Sequence, residues 1–555
     1  MIKKLKLKFG PQPNSEPLSF DPGAVTVFVG PNNSGKSMLL REIERYCQQG
    51  PDSPRFVLDS VSYPEFSLAD LESAVEEMKM KDAKHPVDGN IKYGRFNSSR
   101  GFIHAMGNPK SLENWSRTHS KNFAIQFVTF FVSRFGGRER FHLVDDKPAE
   151  SIQSPPTHCL SKLLRDNLKR KKVRDLVHEA FGRFFVVDPT SLNNLQIRLS
   201  AVAPENEMVE RSFTDAASQF FAEAQHIREC SDGVQAFTGL VMTVVAGEEK
   251  IMLIDEPEAF LHPALANTLG KRLSELMAER EGNLLVSTHS PSFVMGCLQS
   301  GKGLNIVRLT HDQSNKQSTA RLLTSEKVTE LFKDPLLRST GVMQALFHQA
   351  VIVTEADSDR AFYSEMNERI SDEAGSSLAG ALFLNAREKS TIWTIVRPLR
   401  QMGIPAAGIV DIDFVKDAGQ LFTRALEAAN VPQNLHQHYQ DMRANLKREL
   451  LASGQDMKKD GGVNILSEDK RGLAHKFIAD MAEYGIFVVP GGELESWLSS
   501  LGISGHGPKW LVEVLGKIGV DPSDSSYLTP SEGDVWDFMR SISSWVKNPQ
   551  RRGMP

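Results

Sequence analysis

The chain alternates short blocks that are apolar at nearly every position with longer blocks that are apolar every third or fourth residue. "AVTVFVG" (24–30) is a β-branched run closed by glycine and predicts a buried strand, and "SMLLREIERYC" (37–47) carries its apolar residues at helical spacing. "IMLID" (251–255) and "NLLVSTH" (283–289) predict two more buried strands, separated by the helical pattern of "HPALANTLGKRLSELMAER". A third block contributes "QAVIVTE" (349–355), "IPAAGIVDID" (404–413) and "YGIFVVPGGELESWL" (484–498). Strands alternating with helices throughout predict an α/β architecture with largely parallel sheets. Elsewhere the pattern is less regular. "MIKKLKLKFG" alternates basic and apolar residues and reads as a first strand, while residues 51–120 show no clear period. "FAIQFVTFFVSRFGGRERFHLV" reads as two strands around a Gly-Gly turn, and from about 160 to 228 the pattern turns helical and charged. There is no internal repeat and no long low-complexity linker.

Length and composition narrow the picture. A chain of 555 residues is too long for one core, and a prior of roughly 150 residues per domain gives three or four structural units. Hydrophobic residues at 40% and charged residues at 24% suit a soluble globular protein. The net charge of -4 means that nucleic-acid contact, if present, comes from local patches. The densest is Lys162, Arg165, Lys169, Arg170, Lys171, Lys172 and Arg174; Arg138 and Arg140 in "GRERFH" and the terminal "NPQRRGMP" are weaker. Cys47, Cys159, Cys230 and Cys297 are scattered without C-x-x-C spacing, which argues against zinc and against a disulfide framework. No run approaches the roughly 18 apolar residues that span a bilayer, and the N-terminus lacks the apolar core of a signal peptide. A cytoplasmic protein without a membrane partner is expected.

Gly30-Pro31-Asn32-Asn33-Ser34-Gly35-Lys36-Ser37 satisfies G-x-x-x-x-G-K-[ST] in full, between a predicted strand and a predicted helix. Glycines let backbone N–H groups turn inward around phosphates, and the helix start offers its positive end. Lys36 is expected to reach the β- and γ-phosphates of ATP and the Ser37 hydroxyl to ligand Mg²⁺. Four apolar residues lead into Asp255-Glu256, a pair suited to holding that magnesium (Asp255) and polarising the attacking water (Glu256). "GPNNSGKS", "SDGVQ", "LIDEPEAFLHP" and "STHSP" together resemble an ABC-type ATPase of the SMC-like, AAA-15-like branch. The resemblance implies that Ser231, Gly233 and Gln235 form a signature stretch facing the nucleotide of an opposite subunit. It makes His289 a switch histidine and implies a homodimer with two nucleotides sandwiched between its heads. The segment of about 155–228 becomes a helical insertion, a candidate dimerisation arm.

A second constellation is acidic. Glu355 stands at the tip of a predicted strand with Asp359 one helical turn further on, and Asp411 and Asp413 end another. Residues two apart in an extended strand share a side, and ligands bind at the carboxyl ends of parallel strands. Clustered carboxylates with no His or Cys nearby suit a hard ion such as Mg²⁺ or Mn²⁺, as phosphodiester cleavage requires. Glu493 and Glu495 on the third strand are candidates for a second metal position.

Glu355 followed by Asp411-x-Asp413 resembles a TOPRIM domain, with Ala356 where such domains usually carry Gly. An ATPase with "DEPEAFLHP" joined to TOPRIM, with "VTEADSDRAFY" and "GGELESWL", resembles the OLD (overcoming lysogenization defect) family. That family includes the nuclease subunit of the Gabija system and retron-associated nuclease effectors. The resemblance implies an ABC-type ATPase domain over 1–345, a TOPRIM nuclease domain over 346–500 and a C-terminal helical extension over 501–555. It implies ATP-regulated, metal-dependent cleavage of nucleic acid, DNA ahead of RNA, in defence against phage. A helicase, or a reverse transcriptase with its msDNA, is the kind of partner it suggests. Lys509 in "GHGPKWL" is the candidate for the lysine that such sites carry after the last strand. Two alternatives stay open: a ribonuclease acting on tRNA, and a sensor or scaffold whose second domain only binds.

Overall fold

Val25–Val29 (β1) is buried at every position and has a strand on each edge, the environment of a parallel strand covered on both faces. In the computed structural model, which describes residues 1–80, 89–313, 315–339, 341–370 and 378–555, the chain divides into two units, Met1–Glu330 and Leu331–Pro555. The first is built on β1 together with Val132–Phe135 (β2), Ile251–Asp255 (β3), Asn283–Ser287 (β4), Leu304–Asp312 (β5) and Gln317–Leu323 (β6). Their order is β6-β5-β1-β4-β3-β2, parallel except for the β5–β6 pair. Helix α1 (Lys36–Gln49) follows β1 and buries Leu39, Leu40, Ile43, Tyr46 and Cys47, while helix α2 (Asp232–Ala246), almost wholly buried, precedes β3. The parallel arrangement brings the ends of β1, β3 and β4 to one edge, which is where the motifs lie. The predicted first strand forms at Lys4–Leu7, with Leu5 and Leu7 inward and the lysines out.

Two sequence expectations are corrected. The stretch around Gly136-Gly137 contains one strand, not two: helix Lys121–Gln126 and a 3-10 turn over Val128–Phe131 precede β2, and a 3-10 segment, Gly137–Val144, stands where the second strand was expected. Phe123, Phe127 and Phe131 recur every four residues and pack ring against ring, at 5.3 and 5.1 Å between centroids, so the run has helical rather than strand periodicity. The segment near 155–228 is mixed. Helices Cys159–Arg165, Asn167–Phe181 and Asp215–Glu223 flank an antiparallel hairpin of Phe184–Asp188 and Asn194–Ser200. Its β-branched and aromatic "FFVVD" favours a pleated, half-buried surface over a helix.

The second unit holds a four-stranded, fully parallel sheet of Ala350–Thr354 (β7), Ala381–Asn385 (β8), Ala406–Val410 (β9) and Ile486–Val488 (β10), ordered β8-β7-β9-β10. Helix α3 (Asp357–Arg369) follows β7, and α4 (His436–Ala452) lies in the long crossover from β9 to β10. Ile352, Ile409 and Phe487 join Trp497, Trp510, Trp536 and Trp545 in one core, the last three from helices α5 (Pro508–Lys517) and α6 (Asp534–Lys547). Fully buried Arg400 ties the starts of β9 and β10 together, donating to the Ala406 and Tyr484 carbonyls at 2.8 Å each. Among the described residues no helix is long and apolar enough to cross a membrane.

Candidate functional site

Gly30 closes β1 with φ 137°, and a Cβ there would stand 2.0 Å from the Leu309 carbonyl of β5, so only glycine lets the loop turn. Gly35 (φ 94°) opens α1, and Asn32 and Asn33 are exposed on the loop between them. Lys36 is buried; its ammonium donates to the Gly30 and Pro31 carbonyls at 2.9 and 2.8 Å and to Ser34 Oγ at 3.3 Å. Burial lowers its pKa to about 8, opposed by Glu256, Asp255 and Glu258. The Ser37 hydroxyl donates to Asp255 Oδ1 at 2.9 Å, so the two expected magnesium ligands already meet. Exposed Glu256 takes a left-handed backbone (φ 51°). Burial lowers the His289 pKa; Lys36 adds to this, while Glu256 and Asp255 oppose it, which puts the imidazole among these groups.

Two groups support this site that the motifs did not single out for it. Glu258 accepts the His289 backbone N–H at 2.8 Å. Arg140, fully buried, donates to the Asp255 and Glu256 carbonyls and so braces the turn between them. That corrects the reading of Arg140 as a nucleic-acid contact; the side chain of Arg138 lies outside the described residues. Ser231 is the exposed residue capping α2, and Gly233 sits in its first turn, where a Cβ would stand 2.9 Å from the Phe260 carbonyl. Gln235 is buried and donates to the Cys230 carbonyl at 2.8 Å.

In the second unit the acidic residues converge. Glu355 follows β7; its Oε2 is buried without a hydrogen-bond partner, and its pKa is raised by burial and by Asp411. Asp359 on α3 accepts the Ala356 N–H at 2.9 Å, and burial, followed by Asp411, Glu355 and Glu495, pushes its carboxyl up to about 7. Ala356 adopts an extended backbone (φ -123°) open to any residue, so the usual glycine is not required here. Asp411 ends the extended run and Asp413 lies in a 3-10 helix, Ile412–Lys416, so the strand geometry expected of the pair is corrected. Glu495 is likewise in a 3-10 turn, directly after Glu493 and Leu494. Burial raises Asp411 and Glu493 as well, with Asp413 and Glu495 adding to Asp411 and Glu495 to Glu493.

Cations thread this cluster. Lys458 meets Asp411 at 2.7 Å and Glu493 at 3.6 Å, and Lys389 meets Asp413 at 3.0 Å and Asp417 at 3.1 Å. His506 Nδ1 lies 2.7 Å from Glu495 and 3.8 Å from Glu493; these three could hold a metal ion between them. The expectation of a cluster without histidine is therefore corrected. Lys509, in the first turn of α5, is exposed, and the lysines that meet the carboxylates are Lys458 and Lys389. Nothing near Lys458, Lys389 or His506 in sequence marked them: Lys458 comes from a loop of the long β9–β10 crossover, Lys389 from the start of helix Lys389–Gln401, and His506 from the loop before α5. A buried, unpartnered carboxylate oxygen among mutually repelling acids suits divalent cations: Glu355, Asp359, Asp411 and Asp413 on one side, Glu493, Glu495 and His506 on the other.

The basic stretch near 170 is largely consumed internally. Lys162 and Lys169 meet Glu248 at 3.0 Å, Arg170 is buried against Glu210 at 2.8 Å, and Arg174 meets Glu210 at 2.5 Å. Arg165 pairs with Glu150 at 3.6 Å and Lys172 with Glu279. In the terminal "NPQRRGMP", Arg551 donates to the Trp545 and Val546 carbonyls and Arg552 to Glu483.

A family model described as "AAA domain, putative AbiEii toxin, Type IV TA system" matches residues 166–295. The Old nuclease of Escherichia phage P2 is 22% identical across 85% of this chain and 88% of its own length. The chain thus resembles the OLD-family ATPases. Protein ea59 of Escherichia phage lambda is 36% identical over 80 residues, 13% of this chain, which spans 15% of that protein's length. An SMC head bound to the C-winged helix domain of ScpA covers 59% of the chain and 99% of its own, with TM-score 0.34 and 13% identity. The SMC head domain from Thermotoga maritima covers 58% and 98%, with TM-score 0.29 and 14% identity.

Proposed function

We propose that this OLD-family ATPase is a nucleotide-regulated, divalent-metal-dependent endonuclease whose second unit is a TOPRIM domain. One observation carries the reading: six carboxylates from β7, α3, β9 and β10 exits share one end of a parallel sheet, with Glu355 Oε2 buried and unpartnered. Keeping like charges together in a half-buried place is costly unless cations join them. The likeness to the Old nuclease supports the same chemistry. When bound, Mg²⁺ or Mn²⁺ supplies the Lewis acidity that makes a bound water nucleophilic and steadies the leaving oxygen. Glu355, Asp411 and Asp413, with Asp359 beside them, would hold one ion, and Glu493, Glu495 and His506 a second. Lys458 keeps a positive charge beside Asp411 and offers it to a phosphate oxygen when substrate arrives.

In the first unit Lys36, now on its loop carbonyls, would turn to the phosphates of ATP, Ser37 and Asp255 would hold the accompanying Mg²⁺, and Glu256 and His289 would orient the attacking water. Nucleotide-bridged homodimers, DNA as the preferred substrate and a role in antiphage defence, beside a helicase or a reverse transcriptase partner, complete the proposal. The test is cleavage of DNA by the purified protein in Mg²⁺ or Mn²⁺, against Asp411→Ala/Asp413→Ala. Cleavage should vanish in the double variant while its circular dichroism and its nucleotide hydrolysis stay at the parent level; parental cleavage by the double variant rejects the site.

A further inference from the structure

The second unit keeps positive charge of its own on α4. A cavity of about 360 Å³ opens there, lined by Arg443, Ala444, Lys447, Arg448 and Leu451. Positions 444, 447, 448 and 451 follow one another at three- and four-residue spacing, so one face of the helix forms the wall. Arg443 is 9% exposed: its Nη1 donates to the Val415 carbonyl at 2.8 Å and its guanidinium lies 5.4 Å from the Phe422 ring centroid. Its buried Nε has no hydrogen-bond partner. A guanidinium fixed in a cavity wall keeps a permanent positive charge there, which suits an oxyanion. Arg448 is exposed, 3.1 Å from Asn445 Oδ1 and 3.6 Å from Glu449, whose tighter partner is Lys470 at 2.6 Å. Among the described residues no acid lines the cavity.

This groove adjoins the carboxylate cluster. Val415, which Arg443 holds, follows Asp413 by two residues in the same 3-10 helix, and Lys416 beside it is exposed. Asp417 shares Lys389 with Asp413, at 3.1 and 3.0 Å, and acts electrostatically on Arg443. A larger cavity in the first unit, about 420 Å³, differs in kind: of its cations, Lys162 meets Glu248 at 3.0 Å, Arg165 donates to the Ser151 carbonyl at 3.0 Å and Arg211 to that of Leu164 at 2.6 Å.

We propose that Arg443, Lys447 and Arg448 form a phosphate-binding subsite that grips the sugar-phosphate backbone of nucleic acid beside the position of cleavage. The inference rests on the nuclease reading for its place beside the cut, and on the groove alone for phosphate binding. Contacts of this kind fix register and carry no sequence information.

The test uses the full chain with Lys447→Gln/Arg448→Gln, binding a labelled DNA duplex and a labelled RNA hairpin in EDTA over a series of salt concentrations. Binding should weaken to the same degree for every sequence, and the slope of log K against log salt should shrink by about 2, one unit per lost phosphate contact. Lys302→Gln, exposed in the first unit, should leave the slope unchanged. In Mg²⁺ the double variant should show a raised KM with kcat retained at saturation. A slope change on the duplex alone assigns the groove to DNA, and on the hairpin alone to RNA. A folded double variant with parental slope and KM overturns the subsite, as does a parent that binds neither probe. A changed slope in a protein that cleaves nothing upholds the subsite and rejects the nuclease reading instead.

Discussion

Asp359 illustrates what the carboxylate cluster costs without its cations. Its carboxyl is raised from 3.8 to about 7, first by burial and then by Asp411, Glu355 and Glu495, against the opposing Ala356 N–H. The unfolded chain ionises this group near 3.8, so between that value and about 7 the folded state holds a proton that the unfolded state has released. Stability therefore falls as pH rises through this window, and the full penalty applies above it. Asparagine keeps an acceptor for the Ala356 N–H, now at 2.9 Å, and removes the charge. Asp359→Asn should therefore raise the unfolding free energy in chelator by on the order of 3 kcal/mol near pH 8 and by almost nothing near pH 3.5. Urea unfolding at the two pH values measures it, and an equal gain at both removes the electrostatic explanation. Divalent ions should reverse the ranking, since the parent alone gains their full binding energy.

At the level of elements, the site is assembled by turns that touch. Gly492 has φ 120°, and a Cβ there would lie 2.1 Å from the Lys458 carbonyl; its own carbonyl accepts the Ile412 N–H at 2.8 Å. One glycine thus holds the exit of β9, the exit of β10 and the Lys458 loop together. Gly492→Ala should cost about 1–3 kcal/mol and separate Lys458 from Asp411 and Glu493. Cleavage should fall steeply while nucleotide hydrolysis persists, and a loss of both activities in equal measure would point to global unfolding instead. The same contact explains how much the sequence revealed. β1, β3, β4, β7 and β9 were legible because parallel strands covered on both faces are apolar throughout. Glu355, Asp411 and Asp413 were legible because they directly follow such runs. Lys458 and His506 were not, since their loops have no period, and Lys389, at the start of a helix, was not, since its acidic partners are set by tertiary closure. The basic stretch near 170 misled for the reverse reason: its residues look solvated in sequence, yet Glu210, Glu248 and Glu279 arrive from elsewhere to neutralise them.

For the whole molecule, the proposed homodimer would make the ATP site of one copy half of a shared site. Lys36, Ser37, Asp255, Glu256 and His289 gather at one edge of the first sheet, whereas Ser231 caps α2 with its hydroxyl making no cap bond and stands exposed. The free N–H groups of that helix start favour an anion, and the proposed occupant is the γ-phosphate held by a second copy. Glu256→Gln removes the group proposed to polarise water and leaves the phosphate loop intact, so it should trap this state. Sedimentation of Glu256→Gln should show a monomer-to-dimer shift on adding ATP and Mg²⁺. Adding Ser231→Arg should block the shift, because a long cation would fill the space needed by the partner's nucleotide. The double variant should still bind ATP with near-parental affinity through its own Lys36 loop, as fluorescent-nucleotide titration would report. A dimer that forms equally well without ATP, or that survives Ser231→Arg, would place the association elsewhere in the chain and leave α2 without a role in it.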